Sequence, residues 1–181
     1  RINPGGPGDK FYVNPMVQDK KFEQGFAIRI KNKITPFVKP LRTGGYDDIE
    51  FNGQYPIGKV SYREQGFPVE VELNAYSPFV PTDYKNSSYP AIILEYTLSN
   101  TGSEEIEAEI YGWLQNTANY FSTDGQNGSH VNKIIEKNGN LQLLCSSEGK
   151  ELEDLPDYGN MTLSLLQADD SWATPIAVRD V

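Results

Sequence analysis

The sequence predicts an all-β protein with the architecture of a largely antiparallel β-sandwich and few or no helices. Apolar and polar residues alternate over seven or more short segments, and clusters of Gly, Pro, Asn and Asp separate these segments. No segment carries the long, capped apolar stripe of an amphipathic helix. Strands that follow one another without intervening helices favour a sandwich over an α/β fold.

A chain of 181 residues has the length of about one domain, and it can bury about 70% of the surface that its unfolded form exposes. We therefore expect residues 1–181 to form a single β-sandwich domain, in which residues 1–21 are a poorly defined N-terminal segment. Because the first residue is Arg1 rather than Met, we expect a processed or partial sequence.

The first three strands follow from residues that alternate with period two. Between residues 25 and 31, Phe26, Ile28 and Ile30 share one face, and a second strand covers residues 59–63. The clearest strand covers residues 69–76. Its two faces are Val69, Val71, Leu73 and Ala75 on one side and Glu70, Glu72 and Asn74 on the other.

The next two segments differ in how clearly they predict a strand. Residues 90–99 are rich in β-branched and aromatic residues, with Ile92, Leu94, Tyr96 and Leu98 in phase. Residues 104–114 fit a strand, but their isoleucines also recur every four residues, as in a helix. We interpret this segment as a strand, because a short turn after a strong strand usually returns antiparallel to it.

The last part of the chain contains the best hairpin signal. Asn138 and Gly139 both tolerate the positive φ of a type I′ turn. A two-residue turn places Ile134 opposite Leu143 and Glu136 opposite Leu141, which satisfies the hydrophobic register only in part. Met161, Leu163 and Leu165 predict a further strand, residues 174–178 begin another, and residues 124–129 are the expected mobile loop.

Charge and hydropathy exclude several classes of partner. Lys and Arg number 16 and Asp and Glu number 25, so that the formal net charge is −9. Such a surface repels nucleic acids and anionic membranes. No apolar run approaches the roughly 20 residues that span a bilayer, and we therefore predict no transmembrane segment.

Few residues could support catalysis or metal binding. His130 is the only histidine, which rules out a multi-histidine metal site, and we expect it to pack in a loop. Cys145 is the only cysteine and lies in step with Leu141 and Leu143, which predicts a buried thiol. No Gly-rich phosphate loop stands between a strand and a helix. We predict no cofactor.

Acidic residues are numerous enough to raise the question of glycoside hydrolysis, which needs a carboxylic acid and a carboxylate on either side of the bond. Glu70 and Glu72, and likewise Glu105, Glu107 and Glu109, are more simply the solvated faces of strands. Residues 124–128 have only faint calcium-loop character, because the later bidentate Glu is missing.

Trp113, Trp172 and the 11 Tyr residues allow a sugar-binding interpretation, since aromatic rings stack on pyranose rings. Aromatic residues are also the ordinary content of a sandwich core. In a strand, Trp113 faces away from Ala108 and Leu114. It is therefore free to pack on another domain, stack on a ligand or lie under a loop.

Five motifs follow one another between residues 55 and 116. They are Tyr55-Pro56-Ile57, Phe67-Pro68-Val69-Glu70-Val71-Glu72-Leu73, Ala75-Tyr76-Ser77-Pro78-Phe79-Val80-Pro81, Ser87-Ser88-Tyr89-Pro90-Ala91 and Gly112-Trp113-Leu114-Gln115-Asn116. In this order they resemble the N-terminal domain of glycoside hydrolase family 116, the family of non-lysosomal glucosylceramidases and bacterial β-glucosidases. The resemblance is strongest over residues 55–116 and extends over residues 22–53.

The resemblance implies a supersandwich-like β-sandwich that packs on a C-terminal (α/α)₆ barrel of the same parent protein. In the family, the nucleophilic Glu and the acid/base Asp of a retaining mechanism belong to that barrel, and no segment of this chain resembles it. We therefore assign no catalytic, cofactor-binding or metal-binding residue. The resemblance implies a non-catalytic part of a retaining β-glycosidase that meets the glycoside substrate only indirectly.

Phe79, Tyr84, Tyr89 and Trp113 are the candidates for a domain interface or for sugar stacking. Pro78, Pro81 and Pro90 restrict the backbone of the loop that carries the first three, so that docking would order little additional chain. Ordinary strand connection is the alternative role for this loop. A free-standing carbohydrate-binding β-sandwich is the alternative function, and a self-contained glycosidase is a third.

Overall fold

A computed structural model describes residues 2–3, 6–7, 23–31, 37–120, 122–123 and 129–166. The chain forms two compact units, residues 1–9 with 25–112 and residues 10–24 with 113–181. The strands are β1 (Ile2–Asn3), β2 (Gly6–Pro7), β3 (Gln24–Lys31), β4 (Phe37–Pro40), β5 (Asp48–Gln54), β6 (Ile57–Arg63), β7 (Val69–Tyr76), β8 (Ile93–Asn100), β9 (Glu107–Leu114), β10 (Ser129–Lys137), β11 (Asn140–Glu148) and β12 (Asn160–Leu165).

Helical structure in the described residues is limited to the four-residue helix α1 (Tyr84–Ser87) and a 3₁₀ turn at Lys150–Leu152. The prediction of an all-β protein with few helices is therefore confirmed. No helix in these parts of the chain has the length and apolar character to cross a bilayer. A single domain over residues 1–181 stays a prediction, and of residues 1–21 only β1 and β2 are described.

The first unit contains a four-stranded antiparallel sheet in the order β5-β6-β7-β8. β7 is one of its two inner strands, and its clean alternation matches its burial: Val69, Val71, Leu73 and Ala75 are all buried. Leu73 pairs with Val60 on one side and with Tyr96 on the other. The apolar face predicted from sequence therefore becomes the inner face of this sheet.

A second sheet of the first unit, in the order β4-β3-β9, covers that inner face. Phe26 of β3 meets Tyr96 of β8 with a ring-centroid separation of 5.1 Å, so side chains of the two sheets are in direct contact. Both sheets and their connections contribute to one core, which confirms the β-sandwich. The buried members of the core are Ile28, Ile30, Leu41, Tyr46, Val60, Tyr62, Val69, Val71, Leu73 and Ala75.

Lys39 is the buried charged residue of the described parts of the chain. It points inward from β4, where its ammonium group forms an ion pair with Glu64 and donates to the carbonyl oxygen of Gly45 at 3.1 Å. The same group lies 4.9 Å from the ring centroid of Tyr46 and 5.2 Å from that of Phe67. The carboxylate and the aromatic faces together replace the water that this cation loses on folding.

The strand predicted in residues 104–114 is present as β9 (Glu107–Leu114). The reason for predicting it, an antiparallel return against the preceding strand, was wrong. β9 pairs with β3 in the opposite sheet rather than returning against β8. Residues 101–106 cross between the sheets, and the Asn100 side chain holds this crossing by donating to the Glu104 carbonyl at 2.7 Å and accepting from the Gly102 amide at 2.9 Å. Ile106 and Ala108 then join the core from the second sheet.

The second unit contains the antiparallel sheet β10-β11-β12. Asn138 and Gly139 have φ of 53° and 77°, and they place Ile134 opposite Leu143 and Glu136 opposite Leu141, as predicted. The strand predicted around Leu163 is β12. The strand expected at residues 174–178 lies outside the described residues, as does most of the predicted loop at 124–129.

Residues 116–119, which follow β9, form hydrogen bonds with the sheet β10-β11-β12 through buried side-chain amides. The Asn116 side chain donates to the Ser146 carbonyl at 2.8 Å and to Asn132 Oδ1 at 3.0 Å. Asn119 is fully buried, and its Oδ1 accepts from the hydroxyl of Ser147. These bonds supply hydrogen-bond partners for the Asn116 amide nitrogen, Asn119 Oδ1 and the Ser147 hydroxyl, which are buried inside the unit.

Candidate docking surface

A loop between β7 and β8 exposes an unusual number of large apolar side chains. We call residues 77–92 the aromatic loop. Phe79 is 51% exposed, Tyr84 88% and Tyr89 56%, and Val80 and Ile92 are also exposed. Only Asp83 and Lys85 carry charge in this segment, although the chain as a whole has 25 acidic and 16 basic residues. The aromatic loop is therefore an exposed, charge-poor apolar surface.

Asp83 organises the middle of the aromatic loop as the N-cap of α1. Its Oδ1 accepts from the Asn86 amide at 3.0 Å, and its Oδ2 accepts from the Asn86 side chain at 2.5 Å. These bonds hold the pKa of the Asp83 carboxyl below its ordinary value, with the Asn86 amide as the larger cause. A one-turn helix is otherwise too short to be stable, which explains why such a cap is needed.

Ser87 ties the start of the aromatic loop to α1. Its Oγ accepts from the Val80 amide at 2.9 Å and lies 2.7 Å from the carbonyl oxygen of Asp83, to which it donates. The Asp83 amide donates to the Val80 carbonyl at 3.0 Å and so closes a turn over residues 80–83. Within this turn, Thr82 has a φ of 68°. A β-branched residue rarely adopts this φ, so the surrounding bonds must enforce it.

Phe79 is not isolated on this surface. Its ring lies edge-to-face against Tyr55, with centroids 5.7 Å apart and an interplanar angle of 69°. Tyr55 is 78% exposed and occupies the two-residue turn between β5 and β6. Sequence reasoning did not select Tyr55 as a site residue, although the motif Tyr55-Pro56-Ile57 was among those that carried the resemblance.

Tyr84 and Tyr89 lie near the two ends of α1, Tyr84 as its first residue and Tyr89 just beyond its C-cap. Trp113, the fourth predicted residue, lies on β9 and belongs to the second unit. It is 36% exposed. The structure thus places Phe79, Tyr84 and Tyr89 on one loop, and the Phe79 ring contacts the Tyr55 ring. Trp113 belongs to the other unit.

Four of the five glutamates that raised the question of catalysis lie on strands in ion pairs, namely Glu70, Glu72, Glu107 and Glu109. The prediction of a strand face is wrong for Glu105, which precedes β9 in the crossing between the sheets. Glu72 is 2.6 Å from Lys59 Nζ, and Glu109 is 2.8 Å from Lys31 Nζ. Hydrogen bonds from Lys31 and then Tyr111 lower the pKa of Glu109. The acid of a glycosidase needs the opposite shift, because it must carry a proton near neutral pH. This electrostatic setting favours the interpretation as solvated strand faces.

The remaining chemical candidates have structural roles. His130 lies within β10 rather than before it, and its Nε2 donates to the Ala118 carbonyl of a neighbouring loop at 2.9 Å. Cys145 is buried, and burial raises the pKa of its thiol. Within the parts of the chain described, no group of three His, Cys, Asp or Glu side chains has the arrangement of a metal site. Trp172 and residues 124–128 lie outside those parts.

Comparison with known proteins identifies the family. A search of the curated proteins finds no match to the chain. The family model described as beta-glucosidase 2, glycosyl-hydrolase family 116 N-term, matches residues 12–178. This match extends beyond residues 55–116, where the motifs are densest, into both units. The resemblance is confirmed, and the chain belongs to the N-terminal domain family of glycosyl hydrolase family 116.

Proposed function

We propose that this chain is the non-catalytic N-terminal domain of a family 116 type β-glucosidase or glucosylceramidase-like enzyme, and that it packs on a separate (α/α)₆ catalytic domain of the same parent protein. The observation that carries the proposal is the family match over residues 12–178 to an N-terminal part of such an enzyme. The ion-paired glutamates on the sheet faces support it, because their setting does not favour acid catalysis.

The aromatic loop has the character of a docking surface for that domain. Interface cores are depleted in Lys, Asp and Glu and enriched in aromatic residues, and the loop has both properties. The bonds that Asp83 and Ser87 make hold it in one conformation before any partner binds, which reduces the ordering needed on association. Trp113 is proposed as a second contact, from β9.

In this account the domain serves catalysis indirectly. The nucleophilic Glu and the acid/base Asp of the retaining mechanism reside on the catalytic domain, as the resemblance implies. This chain contributes a rigid surface against which that domain is positioned. It needs no cofactor, and it meets the glycoside substrate only through its partner.

Hydrolysis of an aryl β-glucoside tests the proposal. The full-length parent protein should release the aryl group, and the purified chain of residues 1–181 should release none above a buffer blank. Hydrolysis by the purified chain alone would contradict the proposal and would favour the self-contained glycosidase. A parent reading frame that encodes no helical domain would contradict it as well.

A free-standing carbohydrate-binding module is the second candidate, and the exposed rings of Tyr55 and Tyr84 favour it. Such rings can stack on sugars. Calorimetric titration of the purified chain with gluco-oligosaccharides distinguishes the two candidates. The docking domain should give no heat of binding, whereas the module should give saturable binding that Tyr84→Ala or Tyr55→Ala abolishes.

A further inference from the structure

We propose that Tyr55 and Phe79 together form the anchor of the docking surface, and that the corner between their two rings receives an apolar side chain of the catalytic domain. This inference rests on the proposed function and extends the surface from the aromatic loop to the β5–β6 turn. It assigns the central role to Tyr55, which lies 24 positions before Phe79 in the sequence and contacts its ring.

The first argument is the geometry of the pair. The interplanar angle of 69° at a centroid separation of 5.7 Å leaves an open corner rather than a closed stack. An edge-to-face contact fixes the orientation of both rings, so each presents its free face without first losing rotamer freedom. Both rings remain at least half exposed, with Tyr55 at 78% and Phe79 at 51%.

The second argument is that rigid backbone supports each ring from a different element. Tyr55 lies in a turn closed by the pairing of Gln54 with Ile57. Phe79 directly precedes Val80, whose amide and carbonyl are both within hydrogen-bonding distance of Ser87 Oγ. The corner is therefore held from two sides, as expected of an anchor that binds without rearrangement.

The third argument is the charge of the two segments that meet there. Residues 51–58 contain no charged side chain, and they expose Phe51, Tyr55 and Ile57. The aromatic loop contains only Asp83 and Lys85, and Asp83 is engaged in capping α1. The contact between Tyr55 and Phe79 joins these two charge-poor segments into one apolar surface on a chain of net charge −9.

This composition identifies the kind of occupant. A permanent partner within the same polypeptide accepts an uncharged, apolar surface, because such interfaces resemble a domain core. The family match to an N-terminal domain supplies that partner in the catalytic domain of the parent. A second copy of this chain and a sugar are the other occupants that the experiment distinguishes.

Hydroxyl-radical footprinting of side chains, read residue by residue by mass spectrometry, tests the anchor in the full-length parent and in the purified chain. Tyr62, which is fully buried, and Tyr158, which is 46% exposed, serve as slow and fast internal references. In the purified chain, Tyr55 and Phe79 should react at least as fast as Tyr158. In the full-length parent, both should slow to the rate of Tyr62.

Two variants of the full-length parent supply the matched control. Tyr55→Ala should restore fast modification of Phe79, because the corner is opened, whereas Tyr55→Phe should keep Phe79 protected, because the ring alone forms the contact. Tyr55 is largely exposed in this chain, so neither change removes a core contact. Continued protection of Phe79 in the Tyr55→Ala variant would overturn the anchor.

The outcomes separate the inference from the proposed function. If Tyr84 and Tyr89 become protected in the parent while Tyr55 reacts as before, the anchor is wrong and the docking loop stands. If none of these residues is protected, both fail. Protection of Tyr55 in the purified chain that grows with its concentration, or that requires added gluco-oligosaccharide, would assign the corner to a second copy or to a sugar and overturn the inference.

Discussion

The inner strand β7 and the aromatic loop that follows it both carry large apolar side chains, but these side chains are mostly buried on β7 and mostly exposed in the loop. On β7, Val71 and Leu73 are buried between neighbouring strands, and the backbone is held by ladder hydrogen bonds. In the aromatic loop, Phe79 and Tyr84 are exposed, and side-chain bonds from Asp83 and Ser87 hold the backbone.

The difference shows which forces maintain each region. Burial of apolar surface stabilises β7. Changes in this strand should therefore have a large effect on the free energy of unfolding. The aromatic loop buries little, and its order comes from hydrogen bonds whose net contribution to stability is modest. Changes in the loop should therefore affect binding to a partner far more than they affect folding.

Leu73→Ala should have the largest effect on stability. The side chain is fully buried between Val60 and Tyr96, and its truncation leaves a cavity that costs about 2 to 5 kcal/mol. Urea unfolding followed by circular dichroism measures this loss. The neighbouring change Glu72→Ala is the control, because its exposed ion pair with Lys59 contributes no more than about 1 kcal/mol. Equal losses for the two variants would contradict the assignment of the inner face.

Lys39→Met should rank next. Without its partner, the Glu64 side chain, which is 22% exposed, keeps a partly buried carboxylate with no compensating charge, which costs about 3 kcal/mol. The double variant Lys39→Met with Glu64→Leu should recover most of the loss, because it removes both charges. Thermal unfolding of the three proteins measures the effect. A double variant less stable than the single one would show that the unpaired Glu64 carboxylate is not the cause of the loss.

Gly139→Ala should have a smaller effect. Gly139 has a φ of 77°, a conformation that costs a residue with a Cβ about 1 to 2 kcal/mol. Gly159→Ala is the matched control, because its Cβ would meet no atom within 4 Å and Gly159 has no positive φ, so we expect a change within about 0.5 kcal/mol. Urea unfolding compares the two, and a harmless Gly139→Ala would contradict the type I′ turn.

The smallest effect should come from acidification of the aromatic loop. Because the folded pKa of Asp83 is lowered, its contribution is present above the unfolded pKa and is lost as the pH falls through the folded value. Amide exchange of Asn86 and Ser87 should accelerate over that acidic range while β7 amides stay protected. Asp83→Asn keeps the capping geometry and should remove this pH dependence. A pKa of Asp83 at its ordinary value, measured by carboxyl NMR, would contradict the cap.

The core and the hairpin were predictable from sequence because each depends on local pattern. Strand β7 follows from strict alternation, and the β10–β11 hairpin follows from Asn138 and Gly139. Strands β4 and β5 were not predicted, since Ile49 and Phe51 are the only apolar side chains in β5. The pairing of β9 with β3 depends on contacts distant in sequence, which periodicity does not report.

The candidate surface was predictable only in part for a similar reason. Phe79, Tyr84 and Tyr89 were identified from the motifs and the proline-rich loop. Helix α1 was not, although Asp83 followed by Asn86 is an N-cap signal. Tyr55 lies in the β5–β6 turn and Phe79 in the β7–β8 loop, so their contact depends on how these strands assemble. The sequence alone does not show it.

Differential scanning calorimetry of the full-length parent tests the central claim, that this chain serves its enzyme by docking rather than by catalysis. The measurement compares the parent with a variant carrying Phe79→Ala and Trp113→Ala. We predict one coupled transition in the parent and two separate transitions, with reduced hydrolysis of an aryl β-glucoside, in the variant. If the variant unfolds as one transition at the same temperature and keeps full activity, the docking account is contradicted.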